Sequence, residues 1–301
     1  MPRQLDQSQG NSLNQTRNKK VLLLGSGISK SISPSIQNKA FHELGLGIEY
    51  ELCDISEDLF DSKLAEIIRD DRIIGFNVTI PFKERVISHI KVLDPRAQVT
   101  GAVNLVVIST DRRRLTGFNT DVDGVIASLS KLGLIGRSGQ VGVILGSGGA
   151  SRACIYALLT NGFDSLTILN RSEKRAVEVA RHFSGIFPGK KINHAELTEQ
   201  NLRVAMQNAS LLVNTIPMTA EIPFEVDFTS APQGMKYLDL NYRKNPPLLR
   251  AAKRKGISAI EGSLMLVEQA ARSFEILTGI SAPRKTMMLA AKKVDKTSVI
   301  N

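Results

Sequence analysis

Several short segments of this chain carry side chains suited to holding phosphate and carboxylate groups. The clearest is VGVILGSGGASRA, an apolar run entering a glycine-rich turn and then a helical pattern. Glycines permit a tight turn and close approach of a pyrophosphate. The following helix N-terminus offers free N–H groups and a favourable dipole. Gly146, Ser147, Gly148, Gly149 and Ala150 are therefore cofactor-binding candidates, with a purely structural βα turn as the plainer alternative. Ser151 stands where the dinucleotide fingerprint has Gly or Ala. Where an acidic residue about 20 positions on would favour NAD, the chain has Asn170, Arg171 and Ser172, with Lys174 and Arg175 nearby. Arginine pairs with a ribose 2′-phosphate and stacks on adenine, which favours NADP. A basic helix start on a solvated surface is the alternative, since Glu173 dilutes the cluster.

Other candidates lie on either side of that turn. In GFNVTIPFK an apolar strand runs into Thr79 and Pro81 and leaves Lys83 just past the strand's carboxyl end. Ligands of open α/β sheets bind at that edge, although an exposed lysine is the default for any single position. Ser31 and Ser33 put two hydroxyls at a helix start, a cradle for a carboxylate or, for Ser33, a simple cap. Asn104 closes a Gly-Ala-Val-Asn segment, and Thr120 is a cap candidate for the next helix, which leaves Asp121 the plainer role of a first-turn acid. Gln269 lies on an amphipathic helix opened by Gly262 and could face a ligand or bond to backbone.

These positions require strand–helix alternation. Strands are expected at Val21–Leu24, Tyr50–Cys53, Gly75–Thr79, Val141–Leu145, Leu166–Leu169, Leu211–Val213 and Tyr237–Leu240. Ser33-Pro34 starts a helix that should bury Ile36, Ala40, Phe41 and Leu44 and stop at Gly45. Further helices are expected at Leu59–Ile68, Thr120–Lys131 and Ala150 to about Thr160. The pattern is α/β with mostly parallel sheets. Residues 1–20 are polar and aperiodic and read as a disordered tail.

Composition narrows the function. The 301 residues suffice for one large or two modest domains, and no apolar run approaches the roughly 20 residues of a membrane span. Only Cys53 and Cys154 are present, and His42, His89, His182 and His194 are not at ligand spacing. That excludes a disulfide framework and a cysteine-based zinc site, so no metal is expected. The net charge of +10 invites a nucleic-acid reading, yet residues 1–20 carry +3 and residues 281–301 carry +4. Neither nucleic acid nor membrane is expected as a partner.

In combination and order, SISPSIQNKAF, GFNVTIPFKE, GAVN, GFNTDVDG, LGSGGASRA and GSLMLVEQAARSFEILTG resemble the shikimate dehydrogenase family over most of residues 21–280. The resemblance implies two α/β domains: a substrate-binding part with a mixed, mostly parallel sheet over 21–119, completed by the C-terminal helices of 257–301, and a Rossmann-type NADP-binding part over 120–256. The implied reaction is the reversible reduction of 3-dehydroshikimate to shikimate with NADPH, in the cytoplasm, by a monomer or homodimer. Lys83 and Asp121 match the catalytic pair, and Ser31 and Ser33 the carboxylate-binding hydroxyls. Thr79, Asn104, Tyr242 and Gln269 match ring contacts, and Asn170, Arg171, Ser172 and Arg175 match the motif for the NADP phosphate. Gly262 joins the cofactor candidates. Lys30 and Gln37 stand where the family commonly has His, and Leu105 where it has Thr. The nicotinamide-side segment from Asn214 to Thr219 and the loop after Tyr242 also depart from the pattern. Alternatives are a quinate or amino-analogue dehydrogenase, one that uses NAD, or a ligand-sensing relative with weak turnover.

Overall fold

The computed structural model describes residues 19–297 except 113, 221 and 243–245, without the side chains of 294–297. The expected tail lies, up to residue 18, outside the described residues; Lys19 and Lys20 already pair in the first strand.

The first layer is β1 (Lys19–Gly25), α1 (Ser33–Glu43), β2 (Ile48–Asp54), α2 (Phe60–Arg69), β3 (Ile73–Val78), β4 (Val92–Leu93), α3 (Pro95–Thr100), β5 (Leu105–Ile108), β6 (Leu115–Phe118) and α4 (Asp121–Lys131). Its sheet runs β2-β1-β3-β5-β6-β4. The strands β2, β1 and β3 are parallel, while β5 runs antiparallel to both β3 and β6. The apolar run of β1 is covered on both faces, as a central parallel strand requires. Leu22 and Leu24 pack toward Phe60 and Leu64 of α2, whereas Val21 and Leu23 pack toward Ile36 and Phe41 of α1.

The second layer is β7 (Gln140–Leu145), α5 (Gly149–Thr160), β8 (Phe163–Asn170), α6 (Glu173–Ile186), β9 (Lys191–Glu196), α7 (Glu199–Met206), β10 (Leu211–Asn214), β11 (Lys236–Asp239), α8 (Pro247–Arg254) and β12 (Ser258–Ile260). All its strands are parallel, in the order β12-β11-β10-β7-β8-β9. Counted from β7, that is the doubly wound 3-2-1-4-5-6 arrangement, whose ligand crevice opens at the carboxyl ends of the strands. The chain then returns to the first layer with α9 (Ser263–Thr278) and α10 (Arg284–Thr297). Val267, Ala271 and Phe274 of α9 fill the core beneath β1 and α1. Gly124 lets α4 cross α9 closely: a Cβ there would lie 2.4 Å from the Met265 carbonyl oxygen.

The expected alternation holds, with three local differences. The first sheet is mixed, as the resemblance implies, but its antiparallel strands β5 and β6 stand where the strand–helix rhythm placed no strand. Leu44 falls one residue past the end of α1 and is exposed. Neither Ser33 nor Thr120 caps its helix through its side chain: Ser33 lies inside α1 behind Ile32, and the Thr120 hydroxyl turns inward.

Candidate active site

The parallel neighbours β1 and β3 end side by side, which brings the Ser31–Ser33 loop next to the Thr79–Lys83 turn. Close approach is enforced at Gly25, where a Cβ would lie 2.5 Å from Thr79 Cγ2 and 2.7 Å from Ile28 Cγ2. Asp54, at the end of β2, fixes the serine loop by accepting from the backbone N–H of Gly27 at 2.8 Å and of Ile28 at 3.0 Å. Ser31 Oγ donates to Ser33 Oγ and accepts from Ser33 N, each at 3.3 Å, so the two hydroxyls sit together.

Lys83 is locked by its backbone, its carbonyl accepting from Val103 N at 2.8 Å. Its ammonium donates to Asp121 Oδ2 at the first turn of α4, and the two side chains are only 12% and 5% exposed. A partly desolvated ion pair of this kind keeps its charges localised and directional. Asn104 Nδ2 donates to the other oxygen, Asp121 Oδ1, at 2.9 Å, and lies 3.4 Å from Gln269 Oε1 of α9. Thus Lys83, Asp121, Asn104 and Gln269 form one hydrogen-bonded cluster, with Thr79 and the serine hydroxyls on the adjoining strand ends. Cys154 of α5 is buried nearby; burial first, and then the Asp121 charge, push its thiol up, so it stays neutral.

The glycine-rich turn faces this cluster. Gly146 has φ +104° and packs against Thr215, which leaves a side chain no room. Gly148 opens onto free space at the N-terminus of α5, which fits a pyrophosphate. Gly149 abuts Lys83, where a Cβ would lie 2.8 Å from Lys83 Cβ. Ser151 accounts for its departure from the fingerprint: its hydroxyl donates to the Gly146 carbonyl at 2.8 Å and holds the turn shut. Ser147 is buried within the turn, and Ala150 lies in the first turn of the helix behind it. At the end of β8, Asn170 Nδ2 donates to Ser172 O at 2.9 Å, and Arg171, Ser172 and Arg175 are exposed. That exposed pair of guanidinium groups suits a ribose phosphate.

Gly262 and Tyr242 belong to another part of the rim. A Cβ at Gly262 would sit 2.2 Å from the Leu240 carbonyl oxygen, so this glycine serves the close passage of α9 past the end of β11. Tyr242, half-buried, follows β11 by three residues. The altered 214–219 segment is held from below. The fully buried Asp239 accepts from Tyr237 Oη at 2.7 Å and from Asn241 Nδ2 at 2.8 Å, while Ile216 O accepts from Asn241 Nδ2 at 3.0 Å. A cavity of about 480 Å³, lined by Asn214, Met218, Phe224 and Asp239 among others, opens beside that segment and not at the Lys83–Asp121 pair.

Sequence reasoning missed Glu84, Arg152, Tyr50, Asn77 and Ser273. Glu84, next in sequence to Lys83, reaches across to the second layer, with Oε2 3.1 Å from Arg152 Nε and Oε1 3.8 Å from Arg175. Its only sequence signal was adjacency to Lys83. Tyr50, Asn77 and Ser273 lie buried behind the cluster, inside segments otherwise read as strand and apolar helix.

Taken together, the arrangement offers hydroxyls for a carboxylate, an ion-paired lysine for an oxygen that gains or loses a proton, and an anion-binding turn beside it. A model of the shikimate dehydrogenase substrate binding domain matches residues 23–106, and one of the shikimate 5'-dehydrogenase C-terminal domain matches residues 262–292. The chain is 36% identical over 276 residues to shikimate dehydrogenase (NADP(+)) from Carboxydothermus hydrogenoformans, covering 89% of this chain and 94% of the relative. It is 35% identical to the protein of the same name from Methanopyrus kandleri, over 89% of this chain and 92% of that one. Among solved structures, shikimate 5-dehydrogenase from Thermus thermophilus in complex with NADP(H) and shikimate superposes with a TM-score of 0.77 at 30% identity, covering 92% of this chain and 99% of that one.

Proposed function

The chain belongs to the shikimate dehydrogenase family, and on that premise we propose that it catalyses the reversible, NADP-dependent oxidation of shikimate to 3-dehydroshikimate. The observation that carries this reading is the shielded Lys83–Asp121 pair lying directly against the glycine-rich turn.

In this reading Ser31 and Ser33 hold the substrate carboxylate, while Thr79, Asn104, Tyr242 and Gln269 contact the ring hydroxyls. Asn and Gln side chains left unpaired by a ligand lacking those hydroxyls would penalise it heavily, so the polar lining confers selectivity. Gly146, Ser147, Gly148, Gly149 and Ala150 hold the cofactor pyrophosphate, and Asn170, Arg171, Ser172 and Arg175 its 2′-phosphate. Gly262 borders the same rim. The bound cofactor supplies a hydride in the reductive direction and accepts one in the oxidative direction. Lys83 bonds to the reacting oxygen, neutralises the charge that builds there and delivers the proton. In the reverse direction the neutral amine form of Lys83, held beside Asp121, takes the hydroxyl proton and becomes the ammonium. Asp121 keeps the ammonium aimed and restricts its rotation, and the 12% exposure of the lysine side chain limits competition from water.

The division into a substrate-binding part over 21–119 with the C-terminal helices, and a nucleotide-binding part between them, belongs to the same reading. So do cytoplasmic residence and a monomeric or homodimeric state, which size-exclusion chromatography with light scattering would decide. Among the described residues no helix is long and apolar enough to cross a membrane. The deciding assay is steady-state turnover across shikimate and quinate with NADP⁺ and NAD⁺. Shikimate with NADP⁺ should give the highest kcat/KM, and Lys83→Ala should lower kcat at least about 10³-fold. Better turnover of quinate, or an undiminished Lys83→Ala enzyme, would refute the proposal.

A further inference from the structure

Behind the catalytic cluster a chain of buried polar side chains runs up to Asn104, and none of its other members has a substrate contact in the reading above. Its members are Tyr50 on β2, Asn77 on β3, Ser273 on α9, Thr120 before α4 and Asn104 before β5, all buried. We infer that Ser273 is a positioning residue of the Lys83–Asp121 pair, the link that ties Asn77 to Thr120 in a directional hydrogen-bond relay ending on the Asp121 carboxylate. The kinetic part of this inference rests on the function proposed above.

The direction of the relay follows from its two ends. Tyr50 Oη donates to Asn77 Oδ1 at 3.0 Å, which turns the Asn77 amide so that its two N–H groups meet Asn104 O at 2.9 Å and Ser273 Oγ at 3.1 Å. At the other end Thr120 N donates to Asn104 Oδ1 at 2.7 Å, which turns that amide so that Nδ2 faces Asp121 Oδ1 at 2.9 Å and Thr120 Oγ1 at 2.8 Å. Between them, Ser273 Oγ lies 2.9 Å from Thr120 Oγ1. A hydroxyl has one proton to give. Ser273 accepts from Asn77, and we assign its proton to Thr120, because Thr120 then has its own proton for Asn104 Oδ1 at 3.2 Å. The relay thus ends on Asp121, an acceptor-only carboxylate, while the second Nδ2 proton of Asn104 returns to Thr120 Oγ1 and closes the Asn104–Thr120 pair.

Position on the helix supports the assignment. Ser273 lies four residues after Gln269, on the same face of α9, and is fully buried. The other buried residues of α9 include Val267, Ala270, Ala271 and Phe274, so an alanine at 273 would suit packing equally well. It would not satisfy the Asn77 N–H or hold the Thr120 proton. With Ser273 gone, Asn104 loses one of the constraints that keep its N–H groups, and not its oxygen, toward Asp121.

The test is Ser273→Ala in the full-length enzyme, assayed for shikimate oxidation with NADP⁺. kcat should fall about tenfold, as for a loosened catalytic group, with KM for shikimate within about twofold of the parent. Ser273→Thr, which restores the hydroxyl, should recover most of the loss. Tyr50→Phe, at the far end, should lower kcat in the same sense and add little in the Ser273→Ala background. Parental kcat in Ser273→Ala, a raised KM with kcat intact, or fully multiplying losses would each overturn the inference. Thermal unfolding reads the relay without turnover, since the Tm losses of Ser273→Ala and Asn104→Ala should be less than additive. A parent inactive on shikimate with that coupling intact would overturn the proposed function and leave the relay. Additive unfolding losses in an active parent would overturn the relay alone.

Discussion

Gly149→Ala should separate two roles that a glycine-rich turn can have. In a dinucleotide fold the glycines are expected to let the cofactor phosphates come close. At Gly149 the nearest atoms to a new Cβ belong instead to Lys83, with its Cβ at 2.8 Å and its Cδ at 3.0 Å. Comfortable carbon–carbon contact begins near ~3.5 Å, so the gap of 2.8 Å must widen by about 0.7 Å. Lys83 Cβ is anchored to a backbone fixed by the Val103 hydrogen bond, so the lysine cannot yield by swinging its tip alone. If a 1 Å misplacement costs on the order of 10²-fold in rate, 0.7 Å corresponds to roughly 25-fold in kcat. Stability should change little. Overpacking costs about 1–3 kcal/mol, while replacing glycine by alanine in a helix returns up to about 1 kcal/mol. The assay is steady-state kinetics following reduced cofactor, with NADP affinity measured separately by calorimetry. A kcat loss of that size with NADP Kd within about threefold of the parent supports lysine seating. Parental kcat with weakened cofactor binding would refute it and restore the phosphate-approach role.

Glu84→Gln should tighten NADP binding about two- to fivefold and leave NAD binding unchanged, because the carboxylate that shares Arg175 loses its charge. Titration calorimetry with both cofactors checks this, and equal effects on the two would refute it. The contact between α9 and α10 should be acid-sensitive. Burial would raise the Glu275 carboxyl, but hydrogen bonds from Arg284 and the Ala282 N–H outweigh it and hold the group below its usual range. A folded-state pKa below the unfolded one stabilises above about pH 4.5, and that contribution is lost as pH falls through the folded value. Glu275→Gln should therefore lower Tm by about 1–3 °C at pH 7 and by almost nothing near pH 3. An equal deficit at both pH values would count against the ion pair as the cause.

Much of the molecule could be read from one dimension. The glycine-rich turn, the basic residues after β8, and Lys83 at a strand's carboxyl end are local patterns, and each occupies the place its pattern implied. What stayed hidden depends on partners far apart in the chain. Ser273 meets Thr120 across 153 residues and Asn77 across 196, and no periodicity encodes such pairing. Thr120 and Ser33 were read as helix caps because cap preference is a local rule, yet tertiary partners took the Thr120 hydroxyl inward. The antiparallel β5–β6 pair stays hidden because each strand has only four residues and the stretch between them, Ser-Thr-Asp-Arg-Arg-Arg, holds neither the glycine nor the proline that marks a hairpin turn. Leu44 was assigned to the core on helical spacing, but the helix ended one residue earlier.

The return of the chain to its first layer has a consequence for biosynthesis. Every strand of the second sheet lies between residues 140 and 260, so that sheet can close as soon as its own residues leave the ribosome. The strands of the first sheet are all made before residue 119, but its core cannot be completed in that order. Its core needs Val267, Ala271 and Phe274, and Gln37 bonds to Ala270 across 233 residues. The earliest segment synthesised must therefore wait, with one apolar face uncovered, until almost the last helix emerges. Folding in the cell should run middle outward, and nascent chains stalled before α9 should be captured by chaperones through the uncovered face of β1.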